Sequence, residues 1–304
     1  MKILSYPLKT SHKRIAPAAV SIGVFDGLHQ GHLSLLKKLK YYSQKFQAKS
    51  VVVTFWPHPQ KQTLIYSLSQ RIELLKKIGI DVCIIVNFDS HLSNMSPQEF
   101  IEKVILKLVK PVCVIVGENF RFGKDAQADA KLLKSLSLKY NFDAKIIPSR
   151  KVSNRVISSS YIRRLISQGK ISQANKFLFS PFTILGRVIQ GQGLAKRLGF
   201  PTFNLNWGKQ LLPKIGVYIV KVKFNNKTFK GICYIGNKPT FKKNNKKISF
   251  EVHLFDFSDN LKPKEIKVEF IERLRVQKKF SHPSLLIRQI KKDIQNTLHF
   301  FSIK

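Results

Sequence analysis

The feature that most constrains the fold is the alternation of short apolar runs with amphipathic segments over residues 20–147. Continuous apolar runs are typical of parallel strands buried on both faces, and the segments between them have helical periodicity. The pattern predicts an α/β domain with a doubly wound parallel sheet. The five predicted strands are Val20–Phe25, Ser50–Phe55, Val82–Val86, Val112–Val116 and Ala144–Ile147.

Two of the intervening helices carry recognisable end signals. One is predicted to stop at Gly79, because glycine readily adopts the left-handed conformation that ends a helix. Another is predicted to start at Ser96, which can form a capping box with Glu99, and Pro97 suits its first position.

The pattern changes after Arg150. Two short helices are predicted around Ser160–Ile166 and Ser172–Phe179, and Pro181 follows them. We therefore divide the chain into residues 1–180 and 181–304.

The second part has the pattern of an antiparallel sheet. From Ile184 onward, apolar and polar residues alternate, and Asn225-Asn226 is a predicted hairpin turn. Further strands are predicted over Phe229–Ile235, Ile248–Phe255 and Glu265–Ile271, and Pro283–Leu298 has helical spacing. The sequence predicts a small antiparallel β-barrel with a C-terminal helix.

The segment Gly23–His32 joins the first predicted strand to the first predicted helix. Glycines let the backbone approach a phosphate, and a helix N-terminus directs free N–H groups at an anion. His29 and His32 can add donors that stabilise charge during nucleotidyl transfer, and we predict both as catalytic. This place is the carboxyl edge of a doubly wound sheet, where ligands bind. The predicted nucleotide-binding residues here are Gly23, Phe25, Asp26, Gly27 and Gly31.

A second candidate anion site, Ile157–Arg163, opens another helix. Helix capping alone explains its serines, but it gives no role to the Arg163 guanidinium, which can hold a departing pyrophosphate. We predict Ser159 and Ser160 as nucleotide ligands and Arg163 as a catalytic residue.

These two segments together resemble those of the H-x-G-H nucleotidyltransferases. With Thr54–Pro59 and Val116–Gly123, the resemblance extends over nearly the whole chain to the bacterial bifunctional riboflavin kinase/FMN adenylyltransferases. It implies a Rossmann-like nucleotidyltransferase domain followed by a riboflavin kinase barrel. It also implies that ATP first phosphorylates riboflavin to FMN and then adenylylates FMN to FAD, both with Mg²⁺.

In that family the two additional loops shape the flavin and nucleotide pocket. The flavin-binding residues implied by the resemblance are Pro57, His58, Asn119 and Phe120. This chain departs from the family pattern at Ala126, Ala128, Tyr161, Ala195, Lys196 and Phe203.

Residues 186–204 couple a glycine-bearing loop to a Pro-Thr-x-Asn turn. The Thr202 hydroxyl and the Asn204 amide are hard oxygen ligands suited to Mg²⁺. From the residues alone, the glycines fit a hairpin and a bulge as well as they fit a loop that covers phosphates. The pattern is similar to the riboflavin kinase signature, in which loop and turn hold Mg-ATP. The predicted nucleotide-binding residues are Gly191, Lys196, Thr202 and Asn204, of which the last two are metal ligands.

Phosphorylation of an alcohol needs a carboxylate that accepts its proton. Glu251 lies on a predicted strand between Phe250 and Val252, and by resemblance it occupies the catalytic glutamate position. Period-two alternation also fits an outward-facing strand carboxylate. We predict Glu251 as the general base.

The net charge of +37 leaves other functions open. The lysines are dispersed over both halves, which favours general lysine enrichment over a dedicated phosphate-binding surface. One alternative treats the barrel as purely structural, and another is a basic nucleic-acid-binding protein on a nucleotidyltransferase scaffold. We expect a cytoplasmic enzyme with small-molecule substrates ATP, riboflavin and FMN, no membrane contact and no specific nucleic acid, and self-association stays open.

Overall fold

The computed structural model describes residues 1–7, 13–152, 155–191, 194–237, 248–257 and 263–303. The chain forms two compact units, Met1–Ser159 and Ser160–Lys304. In the second unit, Asn175 ties a short helix to the barrel, because its Nδ2 donates to the Phe270 carbonyl at 2.9 Å. The same side chain accepts the Phe182 N–H at 2.8 Å.

The first unit contains a six-stranded parallel sheet in the order β1-β4-β3-β2-β5-β8, as a Rossmann-like doubly wound fold requires. The strand order reverses between β2 and β5, so the carboxyl ends of these strands border the ligand-binding crevice. The sheet strands are β1 (Lys2–Tyr6), β2 (Ile15–Ile22), β3 (Lys49–Trp56), β4 (Val82–Asn87), β5 (Val109–Gly117) and β8 (Asp143–Ile147). Two short strand pairs lie outside this sheet: β6 (Arg121–Phe122) pairs with β7 (Ala128–Asp129), and β9 (Lys151–Val152) pairs with β10 (Arg155–Val156).

Helices flank this sheet, and both predicted end signals are confirmed. Gly79 ends its helix with φ +84°. Ser96 caps the helix that begins at Pro97, and its N–H donates to the Glu99 carboxylate at 3.0 Å in a capping box. The helices are α1 (Gln30–Lys45), α2 (Leu68–Ile78), α3 (Ser90–Ser93), α4 (Pro97–Glu99), a π-helical stretch (Phe100–Ile105), α5 (Leu106–Leu108) and α6 (Ala130–Lys139).

The first predicted strand ends earlier than expected. Its apolar run continues through Val24 and Phe25, but β2 stops at Ile22. Phe25 has φ +54° and is 2% exposed. The apolar residues at this end are therefore buried in a turn rather than in the sheet.

The second unit is a closed six-stranded antiparallel barrel in the order β11-β12-β15-β14-β13-β16. Asn225 and Asn226 both have positive φ and form the predicted hairpin turn. The elements are α7 (Ser159–Ser167), α8 (Ile171–Phe177), β11 (Thr183–Ile189), α9 (Leu194–Arg197), β12 (Phe203–Asn206), β13 (Gly216–Phe224), β14 (Lys227–Asn237), β15 (Ile248–Leu254), β16 (Glu265–Arg275) and α10 (Pro283–Ile303).

The three cysteines, Cys83, Cys113 and Cys233, are buried free thiols. Burial raises the pKa of Cys83 to about 11 and that of Cys113 to about 12. These thiols are therefore inert packing groups rather than nucleophiles.

Candidate active sites

The first candidate site is the loop between β2 and α1. Three of its residues, Phe25, Gly27 and Leu28, have positive φ, which makes the turn sharp. Gly23 is still bound to the sheet, since its N–H donates to the Val53 carbonyl at 3.0 Å. The loop therefore leaves the carboxyl edge of β2 abruptly and enters α1 at His29.

His29 caps α1 with its own ring. Its Nδ1 accepts the backbone N–H of His32 at 3.3 Å, so in the neutral imidazole the proton is on Nε2, which can donate. The two rings are stacked with centroids 3.7 Å apart and an interplanar angle of 18°. A Cβ at Gly31 would lie 3.1 Å from the His29 ring, so the lack of a side chain at Gly31 leaves space for this ring.

Both histidines are neutral near pH 7. Burial lowers the pKa of His29 to about 4, and burial together with the neighbouring His29 holds the pKa of His32 well below its usual value. Nδ1 of His32 is buried without a hydrogen-bond partner among the described residues. The pair thus offers hydrogen-bonding imidazoles, not fixed positive charges, to a phosphate.

The carboxylate of Asp26 is turned into the protein rather than toward solvent. It is 1% exposed and accepts the backbone N–H groups of Ile65 and Tyr66, each at 3.1 Å. Its carbonyl accepts the Ser159 hydroxyl at 2.7 Å. In this geometry both Asp26 and Ser159 hold the loop in place, and their contact with a nucleotide stays a prediction.

The predicted flavin loops follow the strands on either side of β2. His58, after β3, is buried and its Nδ1 accepts the Gln60 N–H at 3.1 Å, while Pro57 beside it is exposed. Asn119, after β5, donates to the Ser149 hydroxyl at 3.0 Å. Phe120 is stacked with Phe122, with ring centroids 5.2 Å apart. All three loops therefore emerge at the carboxyl edge of the sheet.

Ser160 and Arg163 lie further along α7 and belong to the second compact unit. Ser160 is exposed and Arg163 is half-buried. Their predicted roles stay predictions.

The second candidate site is a row of side chains across the barrel. Asn204 on β12 is paired with Glu251 on β15, and Glu251 is paired in turn with Tyr234 on β14. Directly paired residues of antiparallel strands project from the same face. The predicted base and the predicted metal ligand therefore lie side by side.

Two hydroxyl groups flank the Glu251 carboxylate. Ser249 donates to Oε1 at 2.5 Å, and Oγ1 of Thr202 lies 3.5 Å from Oε2. On the other side of Asn204, a Cβ at Gly191 would overlap the amide group. The side chain of Lys196 and the loop residues Gln192 and Gly193 lie outside the described residues.

The oxygen atoms in this row fit a magnesium ion. Hydroxyl and amide oxygens beside a carboxylate are the donors that Mg²⁺ shares with waters and nucleotide phosphates. No cluster of three His, Cys, Asp or Glu side chains occurs among the described residues. A transition-metal site of the zinc type is thus absent from that part of the chain.

Three residues of these surroundings were not predicted: Arg71, Tyr234 and Ser249. Arg71 had a usable signal, because it lies on the same helical stripe as Leu74 and Leu75, where a charged residue is unusual. The others depend on strand register and on contacts between distant segments.

Two family models match this chain, one in each half. Residues 11–161 match the FAD synthetase family model, and residues 178–301 match the riboflavin kinase model. Bifunctional riboflavin kinase/FMN adenylyltransferases from Buchnera aphidicola (Schizaphis graminum) and Bacillus subtilis are 35% and 31% identical, over 94% and 98% of this chain and 95% and 97% of their own lengths.

A crystal structure described as a macrolide-efflux protein from Streptococcus pneumoniae is also similar. It is 26% identical with a TM-score of 0.87, and the match covers 98% of this chain and 99% of that one. In the described part of this chain, no helix has the length and apolarity needed to cross a membrane.

Proposed function

Because the chain belongs to the bifunctional riboflavin kinase/FMN adenylyltransferase family, we propose a residue-level division of its two reactions. The chain is an enzyme that phosphorylates riboflavin to FMN and adenylylates FMN to FAD, with ATP as the donor. The proposal assigns FAD formation to residues 1–180 and FMN formation to residues 181–304. The ranges of the two family matches support this division.

Adenylyl transfer is proposed to occur at the N-terminus of α1. A phosphate oxygen of FMN attacks the α-phosphorus of ATP, and the bond from that phosphorus to the departing pyrophosphate breaks. The Nε2–H group of His29 and an N–H group of His32 donate to phosphate oxygens as negative charge develops. The observation that carries this assignment is the stacked, neutral pair at a helix N-terminus.

Because the imidazoles are neutral, the positive charge must come from elsewhere. Arg163 is proposed to hold the departing pyrophosphate, with Ser159 and Ser160 as neighbouring donors. Pro57, His58, Asn119 and Phe120 are proposed to border the flavin. The positions of their loops after β3 and β5 at the carboxyl edge of the sheet support this.

Riboflavin phosphorylation is proposed at the Asn204–Glu251 row. Glu251 takes the proton of the primary hydroxyl as its oxygen bonds to the γ-phosphorus, and ADP departs. Thr202 and Asn204 would hold Mg²⁺, and Gly191 and Lys196 are proposed to bind the nucleotide phosphates. When bound, the ion neutralises charge on the phosphate oxygens.

Two finer assignments complete the proposal. Mg²⁺ is the divalent ion for both reactions, since it binds nucleotide phosphates and hard oxygen donors. The enzyme works in the cytoplasm, where ATP is available to it.

Two single substitutions test the division. Glu251→Gln should lower the rate of FMN formation by about 100-fold or more, as expected for loss of a general base, and should leave FAD formation from supplied FMN unchanged. His32→Ala should give the converse, with FAD formation lowered by about 100-fold. Flavin products are separated and quantified over time.

Exposed residues of the same type serve as matched controls. Glu265→Gln in the barrel and His91→Ala in the sheet domain should leave both rates within about twofold of the wild type. Equal loss of both reactions in either site variant would contradict the proposed division.

A further inference from the structure

Arg71 is a buried cation with no role in the proposed chemistry. Its side chain lies on α2, is 1% exposed, and its Nε and Nη2 have no hydrogen-bond partner among the described residues. Burying a guanidinium with unpaired N–H groups is unfavourable, and an apolar side chain would serve a helix stripe better. Packing therefore does not explain this residue.

The contacts of Arg71 converge on the nucleotide loop. Its Nη1 donates to the Val24 carbonyl at 2.5 Å and to the Thr54 hydroxyl at 3.3 Å. Thr54 itself donates to the same Val24 carbonyl at 3.0 Å. One carbonyl thus receives two donors, from α2 and from the end of β3.

Val24 is the residue before the sharpest part of the loop. Phe25, which follows it, has positive φ, and side chains other than glycine adopt such a backbone only when their surroundings enforce it. The Asp26 carboxylate is held from the other side by the N–H groups of Ile65 and Tyr66. The loop that leads to His29 is consequently fixed on both sides of Phe25.

Arg71 also contacts the strand end that precedes the flavin loop. Its guanidinium lies over the Trp56 ring at 5.9 Å from the centroid, directly before Pro57. The charge of Asp26 partly offsets the effect of burial, which lowers the pKa of Arg71. The same cation therefore touches the ends of β2 and β3, from which the nucleotide loop and the flavin loop begin.

We propose that Arg71 is a positioning residue for adenylyl transfer, which fixes the Val24 carbonyl and the end of β3 so that His29 and His32 meet the nucleotide correctly. This rests on the proposed site at α1. A misplacement of about 1 Å at a reacting group can cost roughly 100-fold in rate. No contact of Arg71 with substrate is required.

The test compares Arg71→Met, which keeps the length of the side chain but no donor, with Arg71→Lys, which keeps one cationic donor. Lys76→Met, an exposed cation on the same helix, is the matched control. The measurements are kcat and KM for FAD formation, kcat for riboflavin phosphorylation, and the melting temperature. The second activity reports on the barrel of the same molecule and is an internal control.

We expect Arg71→Met to lower kcat for FAD formation by about 30- to 100-fold, with riboflavin phosphorylation within about twofold of the wild type and a melting temperature that does not fall. Arg71→Lys should recover at least half of the lost kcat on a logarithmic scale. A purely structural residue would instead show loss of melting temperature without rescue by lysine.

The inference would be overturned if Arg71→Met left FAD formation unchanged. It would also be overturned if the variant lost both activities and its native fold. His32→Ala is measured alongside. If His32→Ala is inactive in FAD formation while Arg71→Met is active, only the role of Arg71 is refuted. If His32→Ala is fully active, the proposed site itself is refuted.

Discussion

The hydroxyl of Ser249 donates a hydrogen bond of 2.5 Å to Oε1 of Glu251, two residues along β15. Ser249 is buried, so this hydroxyl does not exchange its partner for solvent. With Thr202 near the other oxygen, the carboxylate is fixed in orientation. If Glu251 is the general base, as proposed, it must meet one hydroxyl of its substrate and would gain from this constraint.

We predict that Ser249→Ala lowers kcat for riboflavin phosphorylation by about tenfold, since a hydrogen bond to a charged group contributes roughly 1.5–3 kcal/mol and part of it is regained from water. Ser249→Thr, which keeps the hydroxyl, should retain most of the rate. FAD formation from FMN, measured on the same samples, should not change. A wild-type phosphorylation rate in Ser249→Ala would show that the orientation of Glu251 does not depend on this contact.

The second prediction concerns Gly191 and Asn204. An added methyl at Gly191 would overlap the Asn204 amide, so Gly191→Ala should displace this predicted metal ligand and lower riboflavin phosphorylation by about tenfold or more. Rates are measured over a range of Mg²⁺ concentrations, and the half-saturating concentration should rise.

The double variant provides the control. In an Asn204→Ala background the amide is already missing, so Gly191→Ala should have little further effect. If the two substitutions instead lower the phosphorylation rate by independent factors that multiply in the double variant, Gly191→Ala does not act by displacing Asn204.

The third prediction follows from the lowered pKa of His29. Its pKa is about 4 in the folded protein against 6.5 in the unfolded chain, so the unfolded state takes up the proton first on acidification. Stability from this residue is present above pH 6.5 and is lost as the pH falls from 6.5 toward 4. Between pH 7 and pH 5 the loss should be about 2 kcal/mol in free energy of unfolding.

Trp56 is a suitable fluorescence reporter for the sheet domain, because it lies on β3. The chain has one other tryptophan, Trp207, which directly follows β12 of the barrel. In a Trp207→Phe background, urea unfolding followed by Trp56 fluorescence is compared at pH 7 and pH 5. His29→Asn, which keeps an N-cap acceptor, should show a smaller pH dependence by about 2 kcal/mol. An identical pH dependence in both proteins would mean that His29 titrates normally.

The fourth prediction concerns the ion pair that joins α10 to the barrel. Arg275 donates to Asp293 through Nε at 2.9 Å and through Nη2 at 2.7 Å, and Asp293 is 2% exposed. Asp293→Ala leaves a partly buried guanidinium unpaired and should cost about 3–5 kcal/mol in the free energy of unfolding. The double substitution Arg275→Met with Asp293→Leu should recover most of this loss, as measured by chemical denaturation. A single variant as stable as the wild type would contradict a structural role for the pair.

Much of the fold was predictable from the apolar pattern. The central strands are buried on both faces, so they appear in the sequence as uninterrupted apolar runs. The edge strand Lys2–Tyr6 was missed, because an edge position leaves its residues partly exposed and the run is mixed in polarity. The first strand was predicted to run as far as Phe25, because the turn after β2 is buried and therefore as apolar in sequence as a strand.

The site residues were predictable only in part. His29 and His32 could be proposed as site residues because glycines and a strand-to-helix junction surround them in the sequence. Ser249 and Tyr234 could not, because their proximity to Glu251 depends on strand pairing and side-chain direction. Arg71 is distant in sequence from Val24, and only the packing of α2 against the sheet brings the two together.

The most direct test of the two-site account is a mixing measurement. Purified Glu251→Gln and His32→Ala proteins are each incubated with riboflavin, ATP and Mg²⁺, singly and together, and FAD is quantified over time. The account predicts little FAD from either protein alone and substantial FAD from the mixture, preceded by FMN. FAD synthesis by either variant alone at the wild-type rate, or a mixture no more active than its components, would contradict it.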